Sequence, residues 1–178
     1  MIVIVFAVIV AICLRTFVVQ AFFVPSASME PTLQVGDRIL VVKAGWLAGS
    51  MDRGNIVVFR HPAGVDGDCW IEPGIQDLVK RVIGLPGETI SSGGPSGNTV
   101  FINGKALSEP GWYAIPGLEV GGKPITKTKI PPGDYFVMGD NRSDSCDSRY
   151  FGVIQGSSIV GKVVALVWRN GHPTLHLF

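Results

Sequence analysis

Asp77-Leu78-Val79-Lys80-Arg81-Val82-Ile83-Gly84-Leu85-Pro86-Gly87 sets a lysine inside an apolar run of strand composition and closes it with a tight turn. Working outward, Asn55-Ile56-Val57-Val58-Phe59-Arg60 and Val35-Gly36-Asp37-Arg38-Ile39-Leu40-Val41-Val42 read as two further strands. The segments 45–54 and 61–76 read as loops. Downstream, a compositionally distinct stretch, 91–132, starts with the flexible Ser91-Ser92-Gly93-Gly94-Pro95-Ser96-Gly97. It contains Asn103-Gly104 between two apolar runs, a strong hairpin signal. It reads as a small inserted β lobe, after which Tyr135–Met138 and Ile159–Trp168 close the core. With 23 glycines and 12 prolines punctuating short Val/Ile/Phe runs over 178 residues, the chain is expected to be one mainly β domain.

A lysine in such a run invites a chemical question. Leu78, Val79, Val82 and Ile83 surround Lys80, and strand alternation turns Arg81 to the opposite face. Burial disfavours the ammonium form, so a lysine held there can be neutral and act as a base. A serine needs such a base, and Ser–Lys pairs are one solution. Ser28 lies in Pro25-Ser26-Ala27-Ser28-Met29-Glu30-Pro31-Thr32-Leu33, where two prolines hold a kinked segment. The third stretch is Gly139-Asp140-Asn141-Arg142-Ser143-Asp144-Ser145-Cys146-Asp147-Ser148-Arg149-Tyr150. Each has a plain alternative: an edge-strand lysine reaching water, a turn serine, and a solvated loop with surface ion pairs.

Taken in this order, the three stretches resemble the type I signal peptidases, membrane-anchored enzymes that remove signal peptides from exported proteins. The resemblance implies an antiparallel β-sheet catalytic core with an inserted β lobe, preceded by an N-terminal membrane helix. It makes Ser28 the nucleophile and Lys80 its base, with Ser26 donating to the oxyanion hole. Ser145 would orient the lysine amine. Asp147 with Arg149, and Asp140 with Arg81, would be supporting ion pairs. Substrates would lie extended beside the strands of the site, with shallow pockets that favour Ala-x-Ala. Phe22, Val24, Pro25, Met29, Leu33, Leu78 and Val79 are candidates to line them, with plain core as the alternative. Two departures stand out: Ala27, where the family often has glycine, and Asp144, where it often has asparagine. A carboxylate close to Lys80 would raise the lysine pKa, so Asp144 is expected to point away.

Residues 1–14 are all apolar, Arg15 follows, and apolar character resumes to Val24. Residues 1–20 are read as a transmembrane anchor, with truncation upstream left open, and 21–178 as the catalytic domain, its lobe at 91–132. A cleaved signal peptide and a buried core helix are the rivals. The first lacks a basic start, and its best cleavage site, Ser26-Ala27-Ser28, falls inside the motif. No basic residue at the start orients the segment, and it is the resemblance that implies a cytoplasmic-membrane protein with its catalytic domain on the extracytoplasmic face. There Cys69 and Cys146 could pair, while Cys13 sits in the apolar segment. No CxxC or HExxH occurs, so neither metal nor cofactor is expected, and His61, His172 and His176 stand outside the motifs. A formal net charge of +1 with 16% charged residues argues against nucleic-acid binding. Preproteins and the lipid bilayer are the expected partners of a monomer. Among rivals, a repressor-type self-processing peptidase would need a DNA-binding motif, and a penicillin-binding enzyme a Ser-x-x-Lys. A β module that has lost catalysis would not need Ser28, Lys80 and Ser145 together.

Overall fold

The structure is a computed structural model and describes residues 6, 18–44, 51–62, 74–94, 97, 99–108 and 122–178. Strands β1 (Val19–Phe23), β2 (Arg38–Lys43), β3 (Ile56–Arg60) and β4 (Asp77–Gly84) build one half of the larger sheet. β9 (Asp134–Met138), β10 (Ile154–Gln155), β11 (Ile159–Arg169) and β12 (His172–Leu177) complete it. The order is β1-β2-β11-β3-β4-β9-β10, with β12 beside β11, and every pairing is antiparallel. Between β4 and β9 the chain forms a second antiparallel sheet in the order β7-β6-β5-β8. Its strands are β5 (Thr89–Gly93), β6 (Thr99–Ile102), β7 (Lys105–Ala106) and β8 (Thr128–Lys129). A single-turn α-helix, α1 (Ser148–Phe151), lies between β9 and β10.

β4 joins the parts. On one side it pairs with β3 along its first half, Val57 opposite Lys80 and Arg60 opposite Asp77. On the other, β9 begins only at Arg81, opposite Met138. The outer edge of Asp77–Lys80 therefore has no strand beside it among the described residues. At the far end a register shift separates Val82 from Gly84, and a Cβ on Gly84 would drive into Ile130 and touch Phe136. Glycine there lets β4 pass close beneath the second sheet. Ile83 and Phe136 share a buried cluster with Ile90, Val100, Ile102 and Ile130, so the two sheets have a common core.

Two further clusters lie within the larger sheet. One gathers Val24, Met29 and Leu33 with Ile39, Val41, Ile56, Val58, Val163 and Leu166, and Val79 packs against it. The other holds Leu78 and Val82 with Val57, Phe59, Tyr135 and Val137. Burying a side chain such as Leu33 or Met29 is worth about 1.5–3 kcal/mol over leaving it exposed. These two therefore clamp the segment after β1, which contains the 3₁₀ turn Ala27–Met29, onto the sheet.

Several boundaries differ from the sequence reading. Val35 and Gly36 form a turn, Gly36 at φ 93°, so β2 starts only at Arg38. Pairing in the second sheet begins at Thr89, ahead of the expected start at Ser91, because Ile90 is buried in the shared core. Asn103-Gly104 makes the expected hairpin, both residues at positive φ. Asn170-Gly171 makes another, turning the histidine-bearing tail into β12. The N-terminal anchor reading falls almost entirely on residues outside the described set. Among the described residues no helix is long and apolar enough to cross a membrane.

Candidate active site

Lys80 emerges from β4 where the outer strand edge is open, and Ser28 sits in the 3₁₀ turn against it. The Lys80 Nζ donates to Ser28 Oγ at 2.7 Å, and both residues are buried, at 3% and 8% exposure. Burial is the main influence on the lysine and lowers its pKa to about 8; Asp147, Asp140 and Asp144 pull the other way, and Arg149 adds to the lowering. Asp144 is exposed and contributes least, as expected of a side chain that points away. The Ser26 hydroxyl lies 3.3 Å from that of Ser28. A hydroxyl, an amine that is neutral for an appreciable fraction of the time at mildly alkaline pH, and a second hydroxyl thus share one buried spot. That set can activate a serine for attack on a carbonyl.

The turn carrying Ser28 is held by the loop after β9. Asn141 donates its backbone N–H to the Ser28 carbonyl at 3.1 Å and its side-chain amide to the Ala27 carbonyl at 3.3 Å. A Cβ on Gly139 would collide with the Ser28 carbonyl and the Ser145 side chain, so only glycine permits this approach. The same loop is fixed from below. Asp147 accepts from the Gly139 N–H at 3.0 Å and pairs with Arg149 at 2.8 Å, and also caps α1 through the Arg149 N–H. Asp140 takes Arg81 in a fork, at 2.8 and 2.5 Å, while Thr32 donates to it at 2.6 Å. Arg81 also reaches the Gly54 carbonyl. Thr32 in turn offers its carbonyl to Arg169, which is paired with Asp37 at 2.5 Å. Ser145 departs from expectation. Its hydroxyl is buried and makes no hydrogen bond, so the bond to the lysine amine is not formed.

A groove leads away from Ser28 between β1 and the open edge of β4. Phe22, Val24, Pro25, Met29, Leu78 and Val79 all line it, together with Phe23, Val58 and Ile75, which the sequence reading passed over. Its enclosed space is about 80 Å³. Leu33 is not part of it. That residue is fully buried in the first core cluster, the plain reading weighed for it from the start. Cys146 is disulfide-bonded, to a partner outside the described residues, where Cys69 also lies. Among the described residues no group of three His, Cys, Asp or Glu is placed to hold a metal ion.

Residues 1–168 match the family model for signal peptidase, peptidase S26. The chain belongs to the signal peptidase family. It is 38% identical over 162 residues to a probable signal peptidase I-2 of Synechocystis, covering 91% of this chain and 69% of that one. It is also 36% identical over 165 residues to signal peptidase IB of Staphylococcus aureus, covering 85% and 79%. A solved signal peptidase I from Enterococcus faecalis is 31% identical over 64% of this chain and 97% of its own, with a TM-score of 0.46. By its family and these curated relatives the protein is a serine peptidase of the signal peptidase I kind. In this signal peptidase, Thr32, Gly139 and Asn141 are positioning residues that motif reading did not single out. All three lie within quoted motifs, but only the fold reveals that Asn141 reaches back to Ala27 across 114 positions.

Proposed function

We propose that the chain cleaves signal peptides from exported preproteins after small-x-small sites, with Ser28 as nucleophile and Lys80 as general base. The observation that carries this is the 2.7 Å contact between a buried amine of lowered pKa and a serine hydroxyl. The preprotein lies extended along the groove, its backbone pairing with the unoccupied edge of Asp77–Lys80. The confined apolar space admits alanine-sized side chains and little else.

Neutral Lys80 takes the Ser28 proton as Oγ bonds to the scissile carbonyl carbon. The oxyanion is met by the Ser26 hydroxyl and the Ser28 N–H, donors that act where charge develops. Collapse breaks the C–N bond, and Lys80 hands its proton to the departing amine of the mature protein. Water then loses a proton to Lys80 and attacks the ester; the proton returns to Ser28 Oγ as the signal-peptide acid leaves. In this reading Ser145, a buried hydroxyl with no other partner, orients the amine between steps. Asp140–Arg81 and Asp147–Arg149 hold the loop that braces the nucleophile.

The largely apolar segment 1–20 anchors the enzyme in the cytoplasmic membrane, its catalytic domain on the extracytoplasmic face. A disulfide at Cys146 supports an oxidising location, and Cys69 is its partner in this reading. The test is direct: the detergent-solubilised chain, wild type and Ser28→Ala, is incubated with an exported preprotein and the product N-terminus is sequenced. Wild type is expected to cut after a small-x-small site and Ser28→Ala to leave the precursor whole. Undiminished cleavage by Ser28→Ala overturns the assignment.

A further inference from the structure

The second sheet returns toward β9 through a segment, 122–127, that leads into β8. Ile125 pins this segment to β5: its carbonyl accepts from the Ser92 N–H at 3.0 Å, and its own N–H donates to Ser92 Oγ at 2.8 Å. The Ile125 side chain is buried in the core that the two sheets share. Three residues earlier, Gly122 rests on the loop that braces Ser28. Its φ of 119° is one that L side chains rarely adopt. A Cβ there would drive into Arg149 Nη1, and would come within 2.9 Å of Arg149 Cζ and 3.0 Å of the Arg142 carbonyl oxygen. Lys123, the next residue, places its Nζ 5.9 Å from the centroid of the Tyr150 ring, beside Arg149. The return segment is thus anchored on both sides of the contact, in the shared core and against the helix α1.

We propose that Gly122 is a positioning residue of the active site, the point at which the second sheet bears on Arg149 and keeps the Arg149–Asp147 fork in register with Gly139 and Ser28. The inference rests on Ser28 and Lys80 being the reacting pair. An arginine end group ordinarily swings aside from a methyl. This one is buried, and its Nε and Nη2 both donate to Asp147 at 2.8 Å, so swinging aside breaks the fork. Asp147 is also the acceptor of the Gly139 N–H at 3.0 Å, and Gly139 is where the loop meets the Ser28 carbonyl. Contact therefore runs from Gly122 through Arg149, Asp147 and Gly139 to the nucleophile. A misplacement of about 1 Å among reacting groups can cost about 10² in rate. None of these bracing residues lines the groove, so substrate binding should be spared. Lys80 registers the change as well. Burial lowers its pKa, Asp147, Asp140 and Asp144 raise it, and Arg149 lowers it. An Asp147 parted from its arginine holds the lysine proton more strongly.

The test compares Gly122→Ala with Gly104→Ala. Gly104, at φ 79° in the hairpin of the same sheet, has nothing within 4 Å of its Cβ position and so supplies the strain without the contact. On a preprotein, Gly122→Ala is expected to lower kcat by about tenfold to a hundredfold with KM within about twofold, and to move the rising pH limb above 8. Gly104→Ala should match wild type in all three. Arg149→Lys, slower in itself, removes the atoms that the methyl strikes, so adding Gly122→Ala to it should cost no more than about twofold. If Gly122→Ala alone does not fold, recovery of a folded, cleaving enzyme in the Arg149→Lys background supports the contact, and an unfolded double variant contradicts it. With Ser28→Ala inactive, a Gly122→Ala that keeps wild-type kcat and pH limb, or one that costs as much with Lys at 149 as with Arg, overturns this inference alone. Undiminished cleavage by Ser28→Ala overturns the proposed function and this inference with it.

Discussion

Lys80, the base of the proposed mechanism, has surroundings that make its charge costly, and that cost is a stability statement. The unfolded chain keeps this proton to about pH 10.5, whereas the folded protein releases it near 8. Between those values the unfolded state binds more protons, so folding stability rises with pH across that window; below 8 the penalty is fully present. Lys80→Met, which buries a neutral chain of similar length, is therefore expected to be inactive yet more stable at pH 7, by about 1–3 kcal/mol. The gain should shrink as pH climbs toward 10, as followed by urea melts at each pH. A variant less stable than wild type at pH 7 would mean that the amine is not held against its charge. Ser26 acts differently. Ser26→Ala is expected to lower kcat by about 10²–10³ with KM little changed, as steady-state kinetics will report.

At the scale of elements, the site depends on a loop and a turn pressed together, and the Arg81–Asp140 fork beneath them is buried on both sides, at 5% and 1% exposure. Removing one partner strands the other charge. Arg81→Met or Asp140→Leu alone should each cost about 3–5 kcal/mol, and the double variant should cost clearly less than their sum in a denaturation cycle. Leu33→Ala should cost about 2–5 kcal/mol in the same assay without shifting KM, since Leu33 fills the core and not the groove. The sequence displayed the strand of Lys80 through its apolar run and turn. It also displayed the two ion pairs, though only through a family resemblance. It could not separate Leu33 from Val24 or Met29. All three are buried apolar residues in one kinked segment, and which of them borders the groove depends on how that segment folds over β2 and β11. Phe23 and Val58 escaped notice for the same reason, and Thr32 because its bond to Asp140 spans 108 positions.

Across the whole molecule, the groove to which the proposed function assigns the preprotein arises from an incomplete strand pairing. β9 stops opposite Arg81, β4 runs on with a bare edge, and β1 lies across the gap from it. Hairpin signals and strand runs in the sequence foretold a mainly β chain, but nothing local foretells where a long-range pairing ends. The shared core of the two sheets was equally hidden, because it joins residues up to 55 positions apart, from Ile83 to Met138. Non-reducing peptide mapping should recover a peptide of Cys146 joined to Cys69; a Cys69 thiol open to alkylation would contradict that pairing. The central claim, that a buried lysine and not a histidine activates Ser28, is tested most directly by the pH profile of kcat/KM on a preprotein. The limb should rise through one ionisation near 8 and stay there when His61, His172 and His176 are all replaced. A limb near 6.5 that vanishes with those histidines would contradict it.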